Sequence, residues 1–263
     1  MSSVSPLELE TIQRSSCTSN VLGAVIQFSG FDALPGSGEE HALGTRFGDP
    51  SAPIRMVRLG AHQVCSLARH GASHTIPPHA INYRANLVAL KELGADVVIA
   101  LNTVGVISEV CVPGTIAVPD QVIDYTWGRE HTIYDGSDGI VRHIEFTEPF
   151  SPRLRAGLLD AARAAGIACH DGGVYAATQG PRLESAAEVD RLDRDGNDFV
   201  GMTAMPEAAI AAELGLEYAV IAMVVNRAAG RGDVPIFDDV EAGTVGSRDA
   251  ALKLLQQFFK AAS

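Results

Sequence analysis

The tripeptide Arg69-His70-Gly71 carries groups that suit an oxyanion such as phosphate. The arginine is a planar cation that can donate two parallel hydrogen bonds, the histidine adds a donor, and the glycine allows close backbone approach. An ion pair that ends a strand would explain the same residues equally well. Ser29-Gly30 offers a further hydroxyl and amide, although Ser-Gly also occurs in ordinary turns. These two segments are candidate anion-binding residues.

Polar side chains later in the chain could contact a heterocycle or a sugar. Glu184 follows Pro181, which is expected to open a helix, and an acid in a first helical turn is favoured by the helix dipole alone. Met202 and Thr203 fit a helix cap as well as a pocket wall. Asn226 ends an apolar strand, and its amide can both donate and accept, as recognition of a planar base requires.

Two common kinds of nucleotide-binding loop are missing. The chain has no G-x-x-x-x-G-K-[ST] segment and no G-x-G-x-x-G after the first predicted strand, so an ATP-type P-loop and a dinucleotide site are excluded. The four cysteines lie far apart and form no C-x-x-C pair, which excludes a zinc knuckle and a thioredoxin-like motif. A reduced compartment without a bound metal is expected.

The candidate residues follow short apolar runs that alternate with helical patterns. Strands are predicted at 22–28, 96–102, 115–119, 173–178 and 218–225, a hairpin at 54–71, and helices at 79–93, 152–165, 181–195, near Pro206 and at 248–262. This alternation is typical of an α/β fold with a parallel sheet, in which ligands bind beyond the carboxyl ends of the strands. Residues 127–150 have no periodicity and are interpreted as a long surface excursion.

Composition restricts the class of protein. The chain has 263 residues, of which 46% are hydrophobic and 20% charged, so it is expected to be globular, and one domain is favoured over two. The net charge of −12 gives a surface that repels a phosphate backbone, so nucleic acid is a poor partner. A local site can still bind phosphate.

The first 20 residues do not resemble a secretion signal. They have no basic start and no apolar run, and they are interpreted as a mobile Ser-rich tail. No stretch reaches the roughly 18 apolar residues of a membrane span. A cytoplasmic location with no membrane partner is expected.

Several ordered blocks resemble the trimeric nucleoside phosphorylases, the family of methylthioadenosine and purine nucleoside phosphorylases. The blocks are LARHGASHTIPPHAINYRANLVALKELGADVVIALNTVG (67–105), HIEFTEPF (143–150), TQGPRLESAAEV (178–189), GMTAMPEAA (201–209) and AVIAMVVN (219–226). The pattern is most similar to the bacterial S-methyl-5′-thioinosine phosphorylases. The resemblance implies a single-domain, three-layer fold with a mixed, mostly parallel central sheet over residues 21–263.

The resemblance also implies an activity. It is phosphorolysis of a 6-oxopurine nucleoside, S-methyl-5′-thioinosine or inosine and guanosine, to the free base and a sugar 1-phosphate, as in purine salvage. The family needs no cofactor and uses inorganic phosphate as co-substrate. A homotrimer is implied as well.

Residue roles carry over from the matching motifs. Phosphate binding is implied for Ser29, Arg69, His70, Asn102 and Thr103, and ribose binding for Met202 and Thr203. The base is implied to contact Glu184 and Asn226, since 6-oxopurine members carry Glu and Asn where adenine-specific members carry Ser and Asp. The 5′ pocket is implied to contain His143 of a neighbouring subunit, together with Val240 or Ile236.

One departure from the family affects the phosphate loop. The family pattern Gly-Gly-[Ser/Thr]-Gly is replaced by Gln27-Phe28-Ser29-Gly30, which predicts a looser phosphate site. Two alternatives follow. The chain is a nucleoside-binding protein with a degenerate phosphate loop and little activity, or it is a phosphorylase for an unusual nucleoside in a specialised pathway.

Overall fold

A branched β-sheet organises the chain. The computed structural model describes residues 21–27, 34, 38–134, 136–137 and 139–261, so the proposed tail and Ser29 lie outside the described residues. Within them the strands are β1 (Val21–Gln27), β2 (Glu40–His41), β3 (Ile54–Leu59), β4 (His62–Ala68), β5 (Val97–Val106), β6 (Ile116–Val118), β7 (Gln121–Asp124), β8 (Cys169–Asp171), β9 (Val174–Ala177), β10 (Phe199–Gly201) and β11 (Glu217–Arg227). The helices are α1 (Tyr83–Glu92), α2 (Pro152–Ala164), α3 (Ala186–Arg194), α4 (Ala204–Glu213) and α5 (Ile236–Ala261).

Strand β5 lies where the sheet divides. One path runs β2-β3-β4-β1-β5-β10-β9-β7, and β11 pairs with the other edge of β5 along its whole length. On the first edge, β1 pairs in parallel up to Ala100, whereas β10 pairs antiparallel from Gly105. Residues 101–104 therefore face no strand of the described chain on that edge. We call this gap the fork.

Two layers of helices cover the sheet and complete a three-layer, single-domain α/β fold. The side chains of β5 alternate between two cores, with Val98 and Ala100 in one and Ile99 and Leu101 in the other. Helices α1 and α4 contribute to the first core, and α2 and α5 to the second. Since period-two alternation places successive side chains on opposite faces, both faces of the sheet are buried. The mixed, mostly parallel sheet is confirmed.

Local sequence signals explain where several helices begin and end. Asn82 accepts a hydrogen bond from the backbone of α1, and Ser151 does so for α2. Ser185 and Glu188 form a capping box at the start of α3. Helix α1 ends before Gly94, whose φ of 91° is readily adopted by glycine.

Some predicted boundaries are wrong. The helix predicted from Pro181 begins five residues later at Ala186, because the capping box fixes its start. The last helix begins at Ile236 instead of 248. Gly243, which favours a later start, is accommodated inside the helix because the helix packs closely on β11 at this residue. A Cβ at Gly243 would lie 2.2 Å from the carbonyl oxygen of Val225, so α5 packs against β11 at a distance that only glycine permits. The sequence analysis did not predict the short strands β2, β7, β8 and β10.

The predicted excursion has no regular structure among its described residues, although it is anchored at several points. No described residue between Tyr125 and Phe150 lies in a helix or strand. Arg129, Ile133 and Phe150 are nevertheless buried. The excursion therefore packs firmly on the domain at these points. None of the helices in the described ranges has the length and apolar character of a membrane span.

Candidate active site

A cavity of about 610 Å³ opens at the fork and borders most of the predicted site residues. Its wall includes the predicted residues Arg69, His70, Asn102, Thr103, Glu184, Met202, Thr203, Asn226, Ile236 and Val240. Such a volume is typical of a small-molecule site. Of the other two candidates, Ser29 lies outside the described residues, and His143 is exposed on the excursion without bordering the cavity.

Arg69, directly after β4, lies in a buried ionic network. Its Nε and Nη2 donate to the two carboxylate oxygens of Glu207, each at 2.7 Å. Its Nη2 also donates to Asn102 Oδ1 at 3.0 Å, and its Nη1 to the carbonyl of Leu101 at 3.3 Å. The hydroxyl of Tyr218 donates to Glu207 Oε1 at 2.7 Å. Arg69 and Glu207 are both fully buried.

This network revises the role expected for Arg69. Its bidentate edge, predicted to bind an oxyanion, is occupied by Glu207, so the ion-pair interpretation is correct for that edge. Burial alone lowers the pKa of Arg69, but the Glu207 carboxylate outweighs it and the pKa lies above its usual value. The guanidinium thus remains a permanent charge at the cavity wall, with Nη1 as the group less engaged by the protein.

His70 borders the cavity as a neutral imidazole. Its Nδ1 lies 2.9 Å from the carbonyl oxygen of Ile76, and because a carbonyl only accepts, Nδ1 carries the proton. Burial lowers the pKa of His70 to about 4, assisted by the charge of Arg69. Its Nε2 is consequently a hydrogen-bond acceptor near neutral pH. The ring stacks on His74, with centroids 4.9 Å apart.

Asn102 and Thr103 lie at the fork, within a strand and not beyond its end as predicted. Strand β5 continues to Val106 because β11 pairs with it throughout. The amide of Asn102 is fixed on both sides, since its Oδ1 accepts from Arg69 and its Nδ2 donates to Tyr175 Oη at 3.4 Å. The fork, where β1 has ended, exposes this part of β5 to the cavity.

Glu184 lies in an irregular segment between β9 and α3, not in a first helical turn. The prediction that Glu184 lies in the first turn is therefore wrong, since Ser185 is the N-cap and Glu184 precedes it. One carboxylate oxygen accepts from Thr178 Oγ1 at 2.6 Å, and the residue is half-buried. Gly180 has a φ of 60° and a Cβ there would lie 2.4 Å from Met202 Sδ, so glycine allows this segment to approach Met202.

Asn226 lies on β11 opposite Gly105 of β5, just after a bulge that interrupts the pairing between Val224 and Asn226. It therefore lies inside the strand, which continues to Arg227, and not at its end. Its Nδ2 donates to the carbonyl of Arg227 at 2.6 Å. A Cβ on Gly105 would lie 3.0 Å from that nitrogen, so the glycine leaves room for the amide.

Met202 and Thr203 connect the end of β10 to the start of α4. Thr203 is the N-cap residue of α4, yet its side chain makes no capping hydrogen bond, so the cap interpretation does not account for it. A Cβ at Gly201 would lie 2.0 Å from Tyr175 Oη, which shows how closely β10 packs here. Both residues border the cavity.

The first turns of α5 form an apolar wall. Ile236, Phe237 and Val240 border the cavity, and Phe237 remains 76% exposed. Leu183, 40% exposed, lies on the same cavity wall. An apolar substituent would suit this part of the cavity.

The sequence interpretation missed two buried charges that support the site. Glu207 interrupts the apolar run AMPEAAIAA of α4, and a lone carboxylate in such a run is a usable signal of a buried partner. Arg129 lies in an aperiodic segment and offered no comparable signal.

Gln27, one of the two residues that replace glycines in the phosphate loop, lies in the sheet. Its side chain is buried and donates to Ser66 Oγ on the adjacent strand β4, and it does not border the cavity. Phe28 lies outside the described residues. The replacement of glycine at position 27 is therefore accommodated within the sheet.

Comparison with known proteins gives consistent relatives. Residues 24–260 match the model of the phosphorylase superfamily. A probable S-methyl-5′-thioinosine phosphorylase of Xanthomonas campestris pv. campestris is 49% identical over 79% of this chain and 86% of its own. A 6-oxopurine nucleoside phosphorylase of Pyrococcus furiosus is 43% identical over 79% and 80%. The methylthioadenosine phosphorylase of Schistosoma mansoni, in complex with tubercidin, has a TM-score of 0.85 at 33% identity and covers 92% of this chain and 93% of its own.

Proposed function

The chain belongs to the phosphorylase superfamily, and from that premise we propose that it is a purine nucleoside phosphorylase that cleaves 6-oxopurine nucleosides, with S-methyl-5′-thioinosine as the preferred substrate. The enzyme transfers the pentosyl group from the purine to inorganic phosphate and uses no cofactor. Relatives named for these activities are 43–54% identical to it over the aligned residues.

The arrangement of the cavity wall is the observation that supports this proposal best. Across the sheet, the order β4, β1, β5, β10, β9 sets the candidate phosphate residues after β4 and in β5. The candidate ribose residues follow β10, and Glu184 follows β9. The candidate phosphate residues, the candidate ribose residues and Glu184 thus follow one another along the sheet. The second candidate base residue, Asn226, lies on β11 against the other edge of β5.

The phosphate end supplies a buried positive charge and a hydrogen-bond acceptor. Arg69 provides a buried cation, and the neutral His70 can accept a hydrogen bond from the hydroxyl of monohydrogen phosphate. One phosphate oxygen then bonds to C1′ as the bond from C1′ to N9 breaks. The phosphate charge stabilises the oxocarbenium character of the sugar, which Met202 and Thr203 hold.

The base end supplies hydrogen bonds to the leaving purine. The Glu184 carboxylate accepts from N1–H of a 6-oxopurine, while the Asn226 amide donates to O6 and accepts from a protonated N7. The electron pair of the broken bond enters the ring, and N7 takes up one proton from solvent, so the base leaves neutral. The phosphate hydroxyl gives up one proton to solvent as the sugar 1-phosphate forms, which balances the reaction. For an adenine base, which has an unprotonated N1, Glu184 would lose its donor.

The 5′ end of the nucleoside completes the proposal. Ile236 and Val240 provide apolar surface for a methylthio group. His143 is exposed on the excursion beside the exposed Val141 and Ile144. We assign this segment to a neighbouring subunit's 5′ pocket in a homotrimer, which also buries its apolar side chains.

A direct assay tests the substrate assignment. The protein is incubated with methylthioinosine, inosine, methylthioadenosine or adenosine, with and without phosphate, and released base is measured by liquid chromatography. Phosphate-dependent release of hypoxanthine, fastest from methylthioinosine, is the expected result. Release of adenine without hypoxanthine would contradict the base assignment.

The same samples address the non-catalytic alternative. Calorimetry that detects methylthioinosine binding without phosphate binding, together with no base release, would favour a nucleoside-binding protein. Sedimentation velocity measures the assembly, for which a trimer is expected.

A further inference from the structure

Arg129 is buried beneath the cavity although it belongs to the irregular excursion, and it is 8% exposed. Its Nη1 donates to the carbonyl oxygens of Met202 at 2.8 Å and Met205 at 2.6 Å. Its Nη2 donates to those of Thr178 at 3.2 Å and Gln179 at 2.9 Å. One guanidinium therefore joins two separate backbone segments.

These two segments carry candidate substrate residues. Thr178 also donates its hydroxyl to Glu184, the candidate base residue, and Met202 is a candidate ribose residue. The carbonyls lie on irregular backbone, since Gln179 follows the end of β9 and Met205 has non-helical angles of φ −117° and ψ 137°. Backbone of this kind needs hydrogen-bond donors from elsewhere.

The charge of Arg129 is directed at carbonyl dipoles. In the described ranges it forms no ion pair with a carboxylate. Its other contacts are with Tyr83, a hydrogen bond from Nη1 to Oη at 3.2 Å and a guanidinium carbon 5.6 Å from the ring centroid. A planar group with donors fixed in a fork can hold several acceptors in one geometry, which a flexible ammonium cannot do. Arg129 therefore acts as a clamp, by which we mean that its guanidinium holds two backbone segments together through their carbonyl oxygens.

We propose that Arg129 is a positioning residue that sets the base-binding segment 178–184 against the ribose-binding residue Met202. The inference rests on the proposed function, because it assigns Arg129 a part in nucleoside recognition. Arg129 does not border the cavity, so it acts through these backbone segments. In the described part of the chain it makes no contact with Arg69 or His70, and a link toward them runs through Met205, which lies two residues before Glu207 in α4.

The test measures the two substrates separately in Arg129→Met and Arg129→Lys. Displacement of a binding group by about 1 Å can cost on the order of 100-fold, so we expect the KM for methylthioinosine to rise by about tenfold to 100-fold in Arg129→Met. We expect a smaller rise in Arg129→Lys. The KM for phosphate should stay within about twofold in both variants, since Glu207 is still held by its own hydrogen bonds from Arg69 and Tyr218.

Two control variants separate positioning from general stability. Arg155→Met removes another arginine that donates to backbone carbonyls, those of Val118 and Pro119, away from the cavity. Arg46→Met removes a contact to Ile133 of the same excursion. Both should leave the KM for methylthioinosine unchanged, whatever their effect on Tm.

Chemical rescue sharpens the test. Guanidinium ion at low millimolar concentration should lower the raised KM of Arg129→Met, because it restores the planar donor set, whereas methylammonium should not. An unchanged KM for methylthioinosine in a folded Arg129→Met or Arg129→Lys would overturn the proposal. So would an equal rise in the KM for phosphate.

Other outcomes are equally decisive. If Arg129→Met does not fold, Arg129→Lys decides, and if neither folds, Arg129 serves the fold as a whole and the proposal is wrong. If the unmodified protein shows no phosphorolysis, the proposed function fails on its own. Calorimetry with methylthioinosine then still tests Arg129, with a weaker Kd in the variants as the supporting result and an unchanged Kd as the contrary one.

Discussion

The cavity has two ends of different construction, the phosphate end, where phosphate is proposed to bind, and the base end, where the purine is proposed to bind. At the phosphate end, Arg69 and Glu207 are fully buried and share a network with Asn102 and Tyr218. At the base end, Glu184 is half-buried and receives one hydrogen bond, from Thr178. The phosphate end is a buried ion pair within the core. Glu184 at the base end lies in an irregular segment whose backbone is hydrogen-bonded by Arg129.

This contrast indicates how stability and specificity are divided. Removing one partner of a buried ion pair leaves an uncompensated charge, so Arg69 and Glu207 are required for the fold in addition to the part proposed for Arg69 in the reaction. Glu184 at the base end can change with little cost to folding, because it is half-buried, whereas Asn226 is buried within β11. Substrate choice is therefore more easily altered than phosphate use.

The largest effect is expected for Arg69→Met. It leaves Glu207 buried without its partner, which costs about 3–5 kcal/mol of unfolding free energy, and phosphorolysis should fall by about 1,000-fold as a charge at the reacting phosphate is lost. Urea unfolding and kcat/KM measure the two effects. The double variant Arg69→Met/Glu207→Gln should recover much of the stability without the activity. Recovery of both would remove Arg69 from the phosphate site.

The next effect concerns pH and His70. Its pKa is lowered to about 4 in the fold, by burial and then by Arg69, against about 6.5 in an unfolded chain. The unfolded state therefore binds the proton first as the pH falls, and stability is lost between about 6.5 and 4.

At pH 4.5 this loss amounts to roughly 2–3 kcal/mol. Urea unfolding of the phosphate-free protein at pH 7.5 and 4.5 should show that His70→Gln loses less stability than the unmodified chain. The neighbouring charge of Arg69 is constant over this range, and His74→Gln is the control for the stacked ring. Equal losses in both chains would show that His70 is not buried as a neutral group.

At the base end, Glu184→Gln should lower kcat/KM for inosine and methylthioinosine by about 10- to 100-fold, the value of a hydrogen bond to a charged acceptor. Its Tm should change little, since the residue is half-buried and makes one described contact. Glu188→Gln is the matched control, because Glu188 lies nearby in the capping box and bonds Arg182. A lower Tm with unchanged kinetics would assign Glu184 to the fold.

The smallest effect is expected for Asn226→Asp. An aspartate accepts from an exocyclic amine but cannot donate to O6, so the ratio of activity on inosine to that on adenosine should fall by about tenfold. Assays on both nucleosides measure the ratio. Asn226→Ala should lower both activities without this shift. An unchanged ratio in Asn226→Asp would show that the base does not contact this amide.

Much of the fold followed from patterns that are local in sequence. Apolar runs located the central strands, and polar residues near their ends located the cavity wall. The strand boundaries were less predictable. Strands β5 and β11 extend beyond their predicted ends because they pair with each other, and such pairing between distant segments is not visible in the local sequence. The helical position of Glu184 was wrong because the capping box of Ser185 and Glu188 outweighs Pro181 as a start signal.

The support of the site was harder to predict than its wall. Glu207 and Arg69 are 138 positions apart in the chain, and no spacing rule joins them. Arg129 binds carbonyl oxygens, which every residue possesses, so its partners carry no sequence signature. Wall residues have characteristic side chains, whereas the clamp depends on the path of the backbone.

The close packing of Gly243 against Val225 suggests a route to redesign. A methyl group at position 243 would meet the Val225 carbonyl oxygen at 2.2 Å, about 1 Å inside an ordinary contact. Helix α5 would have to move outward and carry Ile236 and Val240 with it. Glycine at this position thus sets how deeply Ile236 and Val240 project into the cavity. If they line the 5′ pocket as proposed, replacing Gly243 by alanine is a way to admit bulkier 5′-thioethers.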